Sequence, residues 1–128
     1  MNKKQVSTFV VAALKVLEDG VLVHDGKIDS KMIGKMAAFG PTVLSMGIKP
    51  AVALYSRTSG GADRLPVVNA ILAVLRECGC SFANANSLLD AVRNLEGSEL
   101  RQAKTQILAA SVALKLAMRT YPENKQNQ

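Results

Sequence analysis

Apolar residues recur every three or four positions along most of the chain, which is the spacing of one face of an α-helix. In the first segment they are Val6, Phe9, Val10, Ala13 and Leu17, and Asp19-Gly20 ends the run. The same spacing, bounded by Gly, Pro and capping residues, predicts further helices over residues 30–46, 50–56, 63–78, 84–96 and 99–121. The pattern therefore predicts an all-α fold, a single compact bundle of about five to six helices.

Two parts of the chain fall outside this pattern. The segment VLVHDGK, residues 21–27, has a strand-like composition, but a single short strand would leave its backbone groups without partners, so we predict a loop. After Pro122 the chain is polar, and residues 122–128 are predicted to form a disordered tail. Residues 1–121 are then the single helical domain.

The stretch KMAAFGPTVLSMGIKPAVALYSR, residues 35–57, places Pro41 inside the second predicted helix. A proline in a helix interior removes a hydrogen bond and costs on the order of 3 kcal/mol unless a bend relieves it. We therefore predict a kink near Gly40. Pro50 suits the first turn of the next, short helix, where its missing N–H is not needed.

Composition limits the kinds of partner. The formal charge is +6 and the pI about 9.6, which favours an anionic partner such as nucleic acid. No apolar run reaches the roughly 18 residues of a membrane span. The N-terminal segment has the basic tip and apolar patch of a secretory signal, but Lys15 breaks the apolar part and no cleavage-like segment follows, so a first amphipathic helix is predicted instead. With Cys78 and Cys80 predicted to be free thiols, the expected location is the reducing cytoplasm.

Candidate catalytic and metal-binding residues are few. His24 is the single histidine, and it has only Asp25 beside it in a predicted loop. Cys78 and Cys80 offer two thiols at a helix end, without the further ligands that a zinc site needs. The sequence therefore predicts a protein that is not an enzyme and has no metal or cofactor.

The last predicted helix carries a more informative pattern. At 100° per residue its buried face combines eight residues, namely Leu100, Ala103, Ile107, Ala110, Leu114, Ala117, Met118 and Tyr121. Away from that face, Arg101, Lys104, Lys115 and Arg119 gather within an arc of about 60°. We define these four cations as the basic stripe.

Two apolar residues, Leu108 and Val112, lie in the middle of the basic stripe. Apolar residues between cations indicate that a partner covers this face. Lys31 and Lys35 on the second helix, with Lys3 and Lys4 at the N-terminus, are candidates to extend it. Because no aromatic residue is interleaved, base stacking is not expected, and the contact is with phosphates or with protein.

The stretch that contains Pro41, Gly47-Ile48 and AVALY, ending in Tyr55, resembles the small-subunit family of the Cmr complexes, the type III-B CRISPR effectors. The segment SLLDAVRNLEGSELRQAKTQILAASVALKLAMRTY is similar to the closing helix pair of that family. Together these segments span about half the chain. In two places the chain departs from the family's pattern: Leu114 lies near the position of a common Trp, and Ile48 replaces the usual Leu.

The resemblance implies a non-catalytic helical subunit that stacks in a few copies along a ribonucleoprotein filament. Its partners are then the other effector subunits, the CRISPR RNA and the target RNA. Three alternatives stay open: the small subunit of the type III-A complexes, which is also helical and basic; a helical adaptor or regulator that dimerises and binds only protein; and, with less support, a small DNA-binding regulator. Against the last, the short helix after Gly47 offers few side chains that read base edges.

Overall fold

A computed structural model describes residues 3–57 and 63–124 of the chain. The helices are α1 (Lys3–Glu18), α2 (Ser30–Met46), α3 (Ile48–Tyr55), α4 (Leu65–Glu77), α5 (Leu88–Arg93) and α6 (Gly97–Met118). A 3-10 turn covers Ser81–Ala83, and three short strands are β1 (Val23–His24), β2 (Lys27–Asp29) and β3 (Glu123–Asn124). The prediction of a helical bundle with about six helices is confirmed for the described residues, with a small sheet added to it.

Helix α6 occupies the centre of the bundle, where it packs against α1, α2 and α4. Of the eight residues predicted for its buried face, only Leu100 and Tyr121 are half-buried, and the other six are buried. Burial extends further around the helix to Ala109, Ser111 and Ala113. Alanine and serine are small enough for neighbouring helices to approach on several sides, so α6 keeps only a narrow outward strip.

Helix α2 begins and ends as the sequence predicts. The Asp29 side chain accepts a hydrogen bond from the Lys31 backbone N–H at 2.9 Å, which caps the first turn. The helix contains Pro41 and continues to Met46, and the bend near Gly40 stays a prediction. Gly47, at φ 92°, then donates its N–H to the Val43 carbonyl at 2.8 Å and starts the turn into α3.

The loop predicted for residues 21–27 is wrong, because the strand does have a partner. β1 and β2 pair antiparallel around a two-residue turn in which Asp25 and Gly26 both have positive φ, 54° and 72°. Asp-Gly at these two positions is the sequence typical of such a hairpin. The hairpin buries Ile28 completely against the helices.

The disordered tail predicted from residue 122 is wrong for its first three residues. β3 pairs in parallel with β2, and the Ile28 N–H donates to the Pro122 carbonyl at 2.9 Å. The polar composition of this segment gives no sign of the pairing in the sequence, because main-chain hydrogen bonds require no particular side chain. Residues 125–128 lie outside the described residues.

Helix α5 is shorter than the predicted helix over residues 84–96. The Arg76 guanidinium donates through Nε to the Ala83 carbonyl at 3.1 Å and through Nη2 to the Ala85 carbonyl. Those carbonyls are therefore engaged by a side chain, and the chain enters α5 only at Leu88, after Ser87 accepts from the Asp90 N–H at 3.0 Å. Arg76 thus fixes the link between α4 and α5.

Candidate nucleic-acid interface

The basic stripe lies on the outward strip of α6. Arg101 and Arg119 are exposed near its two ends, whereas Lys104 and Lys115 are half-buried. The two lysines are about 16 Å apart along the helix axis, at 1.5 Å per residue. A half-buried lysine typically packs its aliphatic stem against the protein while its ammonium group reaches solvent.

None of the four stripe side chains forms a hydrogen bond, ion pair or ring contact with residues 3–57 or 63–124. Six cations elsewhere do have partners within the fold. Those six are Lys15, Lys35, Lys49, Arg64, Arg76 and Arg93. The charges of α6 are therefore available to an outside anion without breaking a contact in the described structure.

The two predicted candidates on α2 differ in their surroundings. Lys35 donates from Nζ to the Asp63 carbonyl at 2.8 Å, which joins α2 to the segment before α4. Lys31 is exposed, and its ammonium has no partner among the described residues. Only Lys31 of this pair is therefore free to extend an anion-binding surface. Lys4 is likewise exposed, and the Lys3 side chain lies outside the described residues.

The apolar centre of the stripe is partly explained by the fold. Leu108 is half-buried and packs against the core, and Val112 is half-buried beside it on the helix. Leu116, which the sequence analysis did not single out, keeps 43% of its surface exposed and lies near Val112 on the same strip. Its signal in the sequence is its spacing of four residues from Val112.

Two clefts offer other chemistry. One, of about 280 Å³, lies between the segment after α4 and the start of α6, with Cys80, Phe82, Glu99 and Gln102 in its lining. The other, of about 180 Å³, includes His24 and Asp29. Asp29 is already engaged as the cap of α2, so His24 has no free carboxylate beside it in that lining. In the first cleft Cys80 and Glu99 both contribute to the lining, but no hydrogen bond joins the thiol to the carboxylate, as a nucleophile and its base require.

The two cysteines are free thiols, both half-buried. Burial, the charge of a Cys80 thiolate and the Glu77 carboxylate together raise the pKa of Cys78 from 9.0 to about 11. Burial also raises the pKa of Cys80. Both thiols are therefore protonated at neutral pH and are poor metal ligands there. Within the described ranges no three His, Cys, Asp or Glu side chains are grouped as a metal site requires.

In the part of the chain that the structure describes, no helix combines the length and apolar character needed to cross a bilayer. Comparison of the chain with protein families, with curated proteins and with solved structures finds no match.

Proposed function

We propose that the protein is a non-catalytic small subunit of a type III-B CRISPR ribonucleoprotein effector, in which the basic stripe of α6 contacts RNA phosphates. The observation that carries the proposal is a set of four cations on one strip of the central helix, whose side chains have no partner among residues 3–57 and 63–124. The resemblance of residues 35–57 and 87–121 to the Cmr small-subunit family supports the same assignment.

The geometry of the stripe suits contact with the RNA phosphate backbone, independent of base sequence. The stripe is about 27 Å long from Arg101 to Arg119, and it offers cations at both ends. The strip contains no aromatic residue for stacking, so phosphates are the RNA groups that it fits. One copy presents few charges and binds RNA weakly, whereas several stacked copies add their stripes along one strand.

The proposed partners follow from this arrangement. They are the CRISPR RNA, the target RNA, the backbone subunits of the effector and further copies of this chain, all in the cytoplasm. Leu116 and the half-buried Val112 then lie at the edge of the RNA contact, where a neighbouring subunit covers them.

The test reverses two charges of the stripe with Lys104→Glu and Lys115→Glu. Each replacement changes the net charge by −2, so the pair lowers it from +6 to +2. A matched control, Lys27→Glu with Arg57→Glu, gives the same net charge but changes two exposed cations outside α6. Binding of single-stranded oligouridine is measured across a salt series for each form, alone and assembled with type III backbone subunits, and circular dichroism checks helicity.

We expect the α6 variant to lose affinity, and the slope of log affinity against log salt to fall by about 1.4, since each lost phosphate contact contributes about 0.7 for single strands. The control variant should keep most of the salt slope, because its two reversed charges lie outside the proposed RNA contact on α6. If both variants behave alike, or if the α6 variant binds as the wild type does, the stripe has no RNA role and the protein-only adaptor becomes the better assignment.

A further inference from the structure

The larger of the two clefts lies where α4 ends and α6 begins, and no residue of the basic stripe lines it. The N-terminal part of α6 contributes Glu99, Gln102 and Gln106 to the lining. Because these positions are three and four residues apart, their side chains share one side of the helix. Residues 79–82, which follow α4, line the cleft as well. The volume of about 280 Å³ gives room for a flat bicyclic ring.

The polar side chains of this cleft are not used by the fold. Four of them form no hydrogen bond or ion pair with residues 3–57 or 63–124. They are Ser81, Glu99, Gln102 and Gln106. Polar groups that converge on a concave site are what orients a ligand there. A ligand in the cleft therefore gains four polar partners without breaking a contact of the described structure.

The donors and acceptors of the lining select the kind of ligand. Each glutamine amide offers both a donor and an acceptor, whereas the ionised Glu99 carboxylate only accepts. A matching ligand therefore carries adjacent N–H donors on one edge and acceptors on another. Among the nucleobases guanine has this arrangement, because its N1–H and N2 amino group donate side by side while O6 and N7 accept. Adenine, cytosine and uracil lack the two adjacent donors.

An aromatic ring and the charge of the lining fit the same ligand. Phe82 is half-buried and lines the cleft together with the two amides. Unpaired RNA bases stack on aromatic side chains while their edges are hydrogen-bonded. The Cys80 thiol is protonated because burial raises its pKa, so Glu99 carries the only charge among the lining residues. One carboxylate repels a phosphate but accepts from an uncharged base.

We propose that this cleft binds a guanine base, whose N1–H and N2 amino group donate to the Glu99 carboxylate. The amide N–H groups of Gln102 and Gln106 donate to O6 and N7, and the Phe82 ring lies against the base. The phosphate stays outside the cleft, where the neighbouring Arg101 is exposed and has no partner in the described residues.

The base belongs either to a free guanine nucleotide or to an unpaired guanosine of RNA. Only the second source rests on the RNA role proposed for α6. In that case the basic stripe contacts phosphates of any sequence, and the cleft adds a preference for guanine at one position for each copy of the chain.

Calorimetric titration of the isolated chain with guanosine 5′-monophosphate tests the site. Inosine 5′-monophosphate lacks only the N2 amino group, so we expect it to bind about tenfold more weakly, through loss of one hydrogen bond to a carboxylate. Glu99→Gln should abolish this preference, because an amide presents one acceptor oxygen where the carboxylate presents two. The matched control is Glu96→Gln, which makes the same change of charge at an exposed residue outside the lining.

The Cys80 thiol reports where the nucleotide binds. In a Cys78→Ser chain, guanosine 5′-monophosphate should slow alkylation of Cys80 by N-ethylmaleimide, because the base covers a residue of the lining. Equal affinities for the guanosine, inosine and adenosine monophosphates, equal loss of binding in Glu96→Gln and Glu99→Gln, or unprotected Cys80 would each overturn the proposal. So would binding of N-acetylargininamide in place of the nucleotide, which would assign the cleft to a cationic side chain.

RNA distinguishes the two sources of the base. Oligouridine with one central guanosine should bind the wild type more tightly than oligouridine alone, and Glu99→Gln should remove the difference. If the mononucleotide binds but the guanosine in RNA adds nothing, the ligand is a free guanine nucleotide. Lys104→Glu with Lys115→Glu should still bind guanosine 5′-monophosphate, so a failure of the RNA role of α6 leaves the cleft testable by itself.

Discussion

The Tyr55 hydroxyl donates a hydrogen bond to the backbone carbonyl of Lys35 at 3.0 Å, which ties the end of α3 to the middle of α2. The ring of Tyr55 also meets Phe39 edge-on, with centroids 5.1 Å apart. The Arg64 guanidinium lies over the same ring, 5.4 Å from its centroid. One aromatic residue thus fixes the angle between two helices joined only by Gly47.

We expect Tyr55→Phe to lower the free energy of unfolding by about 1 kcal/mol, because the ring packing stays and only the hydrogen bond is lost. Tyr55→Ala should cost about 3–5 kcal/mol, since it also removes the buried ring. Urea unfolding followed by circular dichroism measures both. Equal losses in the two variants would show that the hydrogen bond, and not the ring packing, dominates.

We expect Arg76 to contribute more to the free energy of unfolding than its exposed position suggests. Arg76→Met removes two hydrogen bonds to the carbonyls of Ala83 and Ala85, and charged donors to carbonyls contribute about 1.5–3 kcal/mol each before solvent exposure reduces the value. We expect a loss of about 1–2 kcal/mol and faster hydrogen exchange in residues 79–93. Arg93→Met is the control, because its ion pair with Asp90 is exposed and contributes little. A result in which the two variants are equally stable contradicts the role given to Arg76.

The C-terminal strand should contribute to stability. Removing residues 122–128 takes away β3 and the Pro122 carbonyl that accepts from Ile28, and uncovers part of the hairpin. We expect a loss of about 1–2 kcal/mol in thermal or urea unfolding. Removing only residues 125–128 keeps every contact of the described structure and serves as the control. If both truncations are neutral, the small sheet adds nothing measurable to the fold.

Alkaline conditions should destabilise the fold through Cys78. Its pKa is raised by burial to about 11 in the folded chain, from 9.0. The folded state therefore holds the proton more tightly than the unfolded state. The contribution of Cys78 to the free energy of unfolding is fully present below about pH 9 and is lost as the pH rises through about 11. Urea unfolding across this range should show a shallower decline for Cys78→Ser than for the wild type, and identical slopes would contradict the assignment.

Much of the fold could be predicted from local patterns. The period of the apolar residues located the helices, Asp29 located the start of α2, and Gly47 located its end. The β1–β2 hairpin was missed although its Asp25-Gly26 turn is local, because its strands are only two and three residues long. The pairing of β2 with β3 was missed because β3 lies more than 90 residues after β2. The shortening of α5 was missed because the carbonyls of Ala83 and Ala85 accept from the Arg76 side chain on α4, a contact that the apolar pattern does not reveal.

The candidate interface was predictable only in part. Angular arithmetic on one helix placed Arg101, Lys104, Lys115 and Arg119 on the same strip, and the structure keeps all four without partners in the described chain. The angular arithmetic could not distinguish Lys31 from Lys35, because Lys35 donates to a backbone carbonyl 28 residues away in the sequence.

The most extensive helix contact in the molecule joins α1 to α6, two elements separated by almost 80 residues of chain. Helical bundles fold fast when neighbours in sequence are neighbours in space, and this bundle departs from that arrangement. Its individual helices can form within microseconds, but the central helix finds its main partner only after a long loop closes. Assembly of the core, and not formation of the helices, should therefore set the folding rate.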